Sequence, residues 1–147
     1  MSRQKTKLKK QYKSNYYSLT SSFRPKPKIT ISQWADKYRF IAEGLSAIPG
    51  KWETSNTPYM REVLDVFNNI KVNQVVVMAS SQVGKTEIGL NMIGYYSHQE
   101  PSAIMYLLPT DDVAKKFSET RIRTTIESTP ALNALFSNKS RNAANAN

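Results

Sequence analysis

Residues 72–89 read VNQVVVMASSQVGKTEIG: an apolar run, a turn of small residues, then Gly84-Lys85-Thr86 at the head of a helix-like stretch. The uncharged, β-branched run Val75-Val76-Val77-Met78 has the composition of a buried parallel strand. The spacing Ala79-x-x-x-x-Gly84-Lys85-Thr86 matches a phosphate-binding loop with Ala at the first glycine position. In such a loop, backbone N–H groups converge on an anion at a helix N-terminus, where the helix dipole favours negative charge. Ala79, Ser80, Ser81, Gln82, Val83 and Gly84 would line the phosphates, and Gly84 lets the backbone come close. Lys85 would reach the terminal phosphates of ATP, and the Thr86 hydroxyl would ligate Mg²⁺. Lys85 and Thr86 are therefore the catalytic candidates, and Thr86 the metal-binding one.

The competing interpretation is a glycine turn followed by a solvated lysine. Context argues against it. A second apolar run, Ala103-Ile104-Met105-Tyr106-Leu107-Leu108, follows the helix-like Glu87–Ser97. Strand, loop, helix and strand in this order predict a βαβ unit. The expected fold is thus α/β, a P-loop NTPase with a parallel sheet flanked by helices.

Composition narrows the function classes. A chain of 147 residues with no cysteine has neither a disulfide framework nor a thiolate metal site. With one histidine, His98, a histidine-rich metal site is excluded as well, and its place beside Gln99 near a helix end suggests a surface residue. No stretch approaches the ~20 apolar residues of a membrane span, and the N-terminus lacks the apolar core of a signal peptide, so an intracellular protein is expected. The net charge of +10 is local: residues 1–28 hold nine of the 21 Lys and Arg residues and none of the 11 acids. The rest of the chain is nearly balanced. Residues 1–28 are expected to form a disordered basic tail, which would either neutralise phosphates of nucleic acid or act as a solubilising extension.

Beyond the tail, Ile31 to Ile41 reads as a short helix with Trp34, Tyr38 and Ile41 at helical spacing and Ser32 as its N-cap. Residues 42–56 read as loop. Thr57-Pro58 is a helix start signal, and the helix to about Asn68 has Tyr59, Val63, Val66 and Phe67 as its apolar stripe. Thr110 caps an expected helix from Asp111 to about Ser128, and a short one, Ala131–Phe136, follows Pro130. The polar residues 137–147 are expected to fray. Three units result: the tail 1–28, a body 29–136 and the C-terminal segment 137–147.

An ATPase of this kind also needs an apolar strand ending in an acid, which holds Mg²⁺ and orients water. The single candidate is Ile104–Leu108 with Asp111-Asp112, but those acids are offset and suit the first turn of a helix better. The expectation is therefore the N-terminal part of a larger ATPase, without the full catalytic site of its own.

Taken in order, Trp34-Ala35 with Tyr38-Arg39, Pro49-Gly50-Lys51-Trp52, Pro58-Tyr59-Met60-Arg61-Glu62, Ser81-Gln82-Val83-Gly84-Lys85-Thr86-Glu87, and Pro109-Thr110 with Ala114 and Phe117-Ser118 make the chain similar to a known family. It resembles the large terminase subunits of the lambda type, motors that package DNA into phage capsids, over about residues 29–136. The resemblance implies a helicase-like ATPase domain, followed in complete members by a metal-dependent nuclease. It implies double-stranded DNA, a small terminase subunit and the capsid portal as partners, no membrane, and action in the host cytoplasm during phage assembly. It makes Tyr59 the candidate for stacking on adenine, although core packing against Val63 accounts for that position equally well. Pro109-Thr110 into Lys115-Lys116 resembles a segment that faces DNA in such motors; solvated helix charges are the alternative. The loop departs from many terminases in having no Arg inside it: Gln82 can donate a hydrogen bond but brings no charge. A non-catalytic prophage remnant and a helicase-like ATPase remain the rival interpretations.

Deleting residues 1–28 is expected to remove most salt-sensitive DNA binding, measured as the slope of log affinity against log salt. An unchanged slope would place the DNA contacts in the body instead.

Overall fold

The computed structural model describes residues 26–144, so the expectation of disorder for residues 1–25 lies outside the described residues, as does residues 145–147. Helix α1 (Ile31–Tyr38) begins at a capping box. The Thr30 hydroxyl accepts from the Gln33 N–H at 3.4 Å, and the Gln33 side-chain oxygen accepts from the Thr30 N–H at 3.1 Å. The N-cap is thus Thr30 and not Ser32, whose hydroxyl instead donates to Asp65 at 2.9 Å. The helix also stops short of Ile41. Arg39 turns to extended backbone, ψ 136°, and leads into strand β1 (Phe40–Ile41), which pairs antiparallel with β2 (Gly50–Lys51).

A 3₁₀ turn, Thr54–Asn56, precedes helix α2 (Tyr59–Val66). Its fully buried residues are Met60 and Leu64; of the expected stripe, Val63 and Phe67 pack against the same core, whereas Tyr59 is 59% exposed. The reason is tertiary. Residues at and just beyond the end of α2 close off the start of α1: Asp65 accepts from the Ser32 N–H at 3.0 Å, and the Asn68 side-chain oxygen accepts from the Ile31 N–H at 2.9 Å. Two of the N–H groups that a helix start leaves unpaired are satisfied in this way, which fixes the rotation of α2 against α1.

Helix α3 (Lys85–His98) crosses both and forms the centre of the core. Trp34, fully buried, lies against α3 at Gly94, where an added Cβ would stand 2.2 Å from the indole Cη2. Only glycine permits that approach. Ile31, Ala35, Trp52, Met60, Leu64, Ile88, Tyr95 and Leu132 complete the same cluster.

The helix expected from Asp111 to Ser128 is divided. Helix α4 (Asp111–Phe117) is capped by the Thr110 hydroxyl, which accepts from the Val113 N–H at 3.3 Å. A π-helical turn, Ser118–Ile122, and helix α5 (Arg123–Ser128) follow. Around the widened turn, the hydroxyls of Thr120 and Thr124 each donate to the carbonyl four residues back at 2.7 Å, competing with the backbone ladder. Helix α6 (Pro130–Ala144) has Pro at its first position and no later Gly or Pro, so the backbone stays helical beyond the expected end at Phe136.

The βαβ expectation is corrected in one respect. Val75–Met78 and Ala103–Leu108 have no ladder partner, and the two-residue strands β1 and β2 are the only paired ones among the described residues. Strands are defined by their neighbours, and two parallel segments alone would leave both outer edges unpaired. The second segment nevertheless lies on α3, with the Tyr106 ring over Gly89 and stacked at 5.0 Å on Phe117. The protein is therefore a mixed helix and strand structure. No helix among the described residues is long and apolar enough to cross a membrane.

His98 is not the surface residue that its neighbourhood in sequence suggested. Its Nδ1 accepts from the Trp34 indole N–H at 3.1 Å, and its ring stands edge-on to Tyr38 at 5.0 Å. Burial, with the nearby Lys26 charge as a lesser cause, holds its pKa below the ordinary value. Since the folded state resists protonation, the stability this group contributes is full above the unfolded value of about 6.5 and is lost as pH falls below it. The urea midpoint is expected to drop between pH 7.5 and pH 5.5, and His98→Gln should flatten that dependence. An equal slope in the variant would assign the dependence to other groups.

Candidate nucleotide-binding site

The sequence Ala79–Thr86 forms a loop that ends at the first turn of α3. Gly84 is the N-cap residue, with φ 82° and ψ 20°, in the left-handed region that L side chains avoid. No side chain caps this helix start. The N–H groups of Lys85 and Thr86 thus lie at the positive end of the dipole without a side-chain cap. Space imposes glycine here as well as φ does, because a Cβ at Gly84 would lie 2.1 Å from the Met60 Cε. Gln82, two residues earlier, also has positive φ, 60°, and is the only non-glycine residue among those described that does. Strain of this sort persists only where surrounding contacts over-determine the backbone.

Lys85 folds back across its own loop. Its ammonium donates to the Ala79 carbonyl at 3.1 Å and to the Ser80 carbonyl. Among the described residues no carboxylate pairs with it, since the one ion pair there joins Arg39 and Glu87. The structure therefore brings Ala79, Ser80 and Lys85 together around one small ring of backbone. Thr86 follows, partly buried, in the first helical turn.

Tyr59 is on the rim of the same site. Its hydroxyl donates to the Val83 carbonyl at 3.2 Å, and its ring is largely exposed, which excludes core packing as the account of this residue. A cleft runs from Tyr59 and Gly84 to Ile48, Trp52 and Thr57. The Thr57 hydroxyl on its wall is buried and has no hydrogen-bond partner. Asp111 and Asp112 occupy the first turn of α4 behind the Thr110 cap, the helix-start position their offset suggested. No group of three or more His, Asp or Glu side chains that could hold a metal ion occurs among the described residues.

Sequence reasoning missed a second feature of the site. Glu87, just past Thr86, lines the cleft and pairs with Arg39 at 2.9 Å. Asn91, one turn further along α3, accepts from the Arg39 Nε at 3.2 Å. The spacing of Glu87 and Asn91 on one helix face is visible in the sequence; their partner, 48 residues away, is not.

With the geometry in place, comparison with known proteins gives the family. The model of the phage terminase large subunit gpA ATPase domain matches residues 46–147, and the chain belongs to this family. It is 30% identical over 117 residues to the terminase large subunit of Escherichia phage lambda, covering 80% of this chain. It is 29% identical over 114 residues to the terminase large subunit of Enterobacteria phage P21, covering 78% of this chain. The matched segment spans only 18% and 17% of the length of those two relatives. No solved structure matches the chain.

Gly84→Ala is expected to lower stability by about 1–2 kcal/mol, through left-handed strain and the displacement of Met60. The urea midpoint reads this; an unchanged midpoint would show that the loop is not held in this conformation.

Proposed function

We propose that this chain binds Mg·ATP on the Ala79–Thr86 loop and supplies the ATP-binding part of a phage DNA-packaging motor. The packaging context follows from its family, the terminase large subunit ATPase domain. The observation that carries the nucleotide reading is Gly84: a left-handed residue opening α3, with no side chain over the helix start and a lysine ammonium next to it. The site residues fit a polyanion. Among the described residues the Lys85 charge is held by the Ala79 and Ser80 carbonyl dipoles and by no carboxylate.

In this reading Lys85 meets the terminal phosphates, the loop N–H groups from Ser80 to Gly84 surround them, and Thr86 ligates Mg²⁺. When bound, Mg²⁺ offsets phosphate charge. Tyr59, tethered at Val83 and exposed on one face, stacks on the adenine base. Residues 29–136 belong to an α/β P-loop NTPase in which Val75–Met78 and Ala103–Leu108 become parallel neighbours in a helicase-like sheet. The exposure of Ile104, Met105, Tyr106 and Leu107, 44%, 82%, 40% and 82%, supports this, for it alternates with the period of a strand.

In longer family members, hydrolysis of ATP on such a domain drives translocation of double-stranded DNA, with a nuclease domain, a small terminase subunit and the portal as companions in the host cytoplasm. Lys115 and Lys116 on the exposed α4, together with the basic residues 1–28, are the groups in this chain suited to the DNA phosphates.

Calorimetric titration with Mg·ATP tests the nucleotide reading. Lys85→Ala is expected to reduce affinity at least ten-fold, since it removes the cation that folds across the loop. Equal affinity in the variant would overturn the assignment.

A further inference from the structure

A carboxylate just after a phosphate loop is an electrostatic contradiction. Glu87 is in the first turn of α3, where the dipole attracts an anion, and lines the same cleft as Gln82, Val83 and Gly84. Left to itself it would compete with a phosphate for the unpaired N–H groups and repel it. The structure gives Glu87 another partner. Arg39, 2% exposed, donates from Nη2 to the Glu87 Oε2 at 2.9 Å, from Nε to the Asn91 Oδ1, and from Nη1 to its neighbour's carbonyl at Phe40.

We propose that Arg39 is a positioning residue for the nucleotide site: it draws the Glu87 carboxylate aside from the Ala79–Thr86 loop and cancels its charge, so that a phosphate can occupy the start of α3. This rests on the nucleotide reading above and extends it to a residue that does not touch the ligand. The backbone around Arg39 supports the role. Its N–H donates to the Ala35 carbonyl at the end of α1 and its carbonyl accepts from the Trp52 N–H beside β2, both within 3.0 Å, so the guanidinium is presented from a fixed frame. Burial lowers the Arg39 pKa while the Glu87 charge opposes that shift. Arginine stays protonated throughout. The pairing also suits the loop composition: with no Arg among Ala79–Gly84, an unmasked Glu87 carboxylate would compete with a phosphate for Lys85.

The charge states separate this role from simple packing. Binding of Mg·ATP is measured by calorimetry on the wild-type chain and on E87Q, E87D, R39M and R39M/E87Q, with circular dichroism confirming the fold of each. R39M leaves Glu87 charged and unpaired, and affinity is expected to fall on the order of ten-fold. Removing that charge in R39M/E87Q should restore affinity to within about three-fold of wild type, which a packing role would not do. Should R39M not fold, E87D serves the same end, because its shorter side chain keeps the charge but draws back from Arg39. E87D is expected to bind more weakly than E87Q. A double variant as weak as R39M, or E87Q as weak as E87D, overturns the proposal. Wild-type protein that binds Mg·ATP while all four variants bind alike overturns this inference alone. Wild-type protein that binds none overturns both it and the nucleotide reading.

Discussion

A guanidinium at 2% exposure must find acceptors for its donors, and Arg39 finds three, one on the adjoining residue and two on successive turns of α3. Phe40 contributes a carbonyl from β1, Glu87 a carboxylate from the first turn of α3, and Asn91 an amide oxygen from the next turn. The same residue ends α1 and passes its own carbonyl to Trp52. The end of α1, the β1–β2 hairpin and the start of α3 are thus held in one frame. A buried ion pair adds little net stability over an apolar replacement, but breaking one side of it costs about 3–5 kcal/mol. Here the pair ties the first turn of α3, just after the loop, to the junction of α1 and β1.

The loop itself combines two unfavourable features that the surroundings stabilise. Gln82 and Gly84 both have positive φ, and the start of α3 has no side-chain cap. Met60 packs into the space that Gly84 leaves open, and Tyr59 holds the Val83 carbonyl from the other side. Both come from the first turn of α2, whose rotation is set by Asp65 and Asn68 closing the start of α1. Capping of one helix thereby positions the residues that shape a loop elsewhere. Core packing and site geometry share the same elements.

Much of this was legible from residues alone, and the failures follow a pattern. The helix at Gly84-Lys85, the Thr110 cap and the placement of Asp111-Asp112 were read correctly because each depends on neighbours within a few positions. Thr30 was missed as a cap in favour of Ser32, although both are suited to it, because Asp65 lies 33 residues away and claims Ser32. Tyr59 and Met60 are both apolar, and only contact with α1 and the loop decided which faced inward. His98 looked peripheral until Trp34, 64 residues distant, donated to it.

The sequence by itself determined where α3 begins, since Gly84 carries its left-handed freedom in its own covalent structure, and it determined the family through the order of its segments. Tertiary structure decided the rest. Val75–Met78 and Ala103–Leu108 have the composition of strands, yet composition cannot pair them, because a strand is completed by hydrogen bonds from another segment. The same holds for Arg39 and Glu87. Each is an ordinary charged residue in the sequence, and only the fold, by removing water from one and turning the other towards it, makes them a unit.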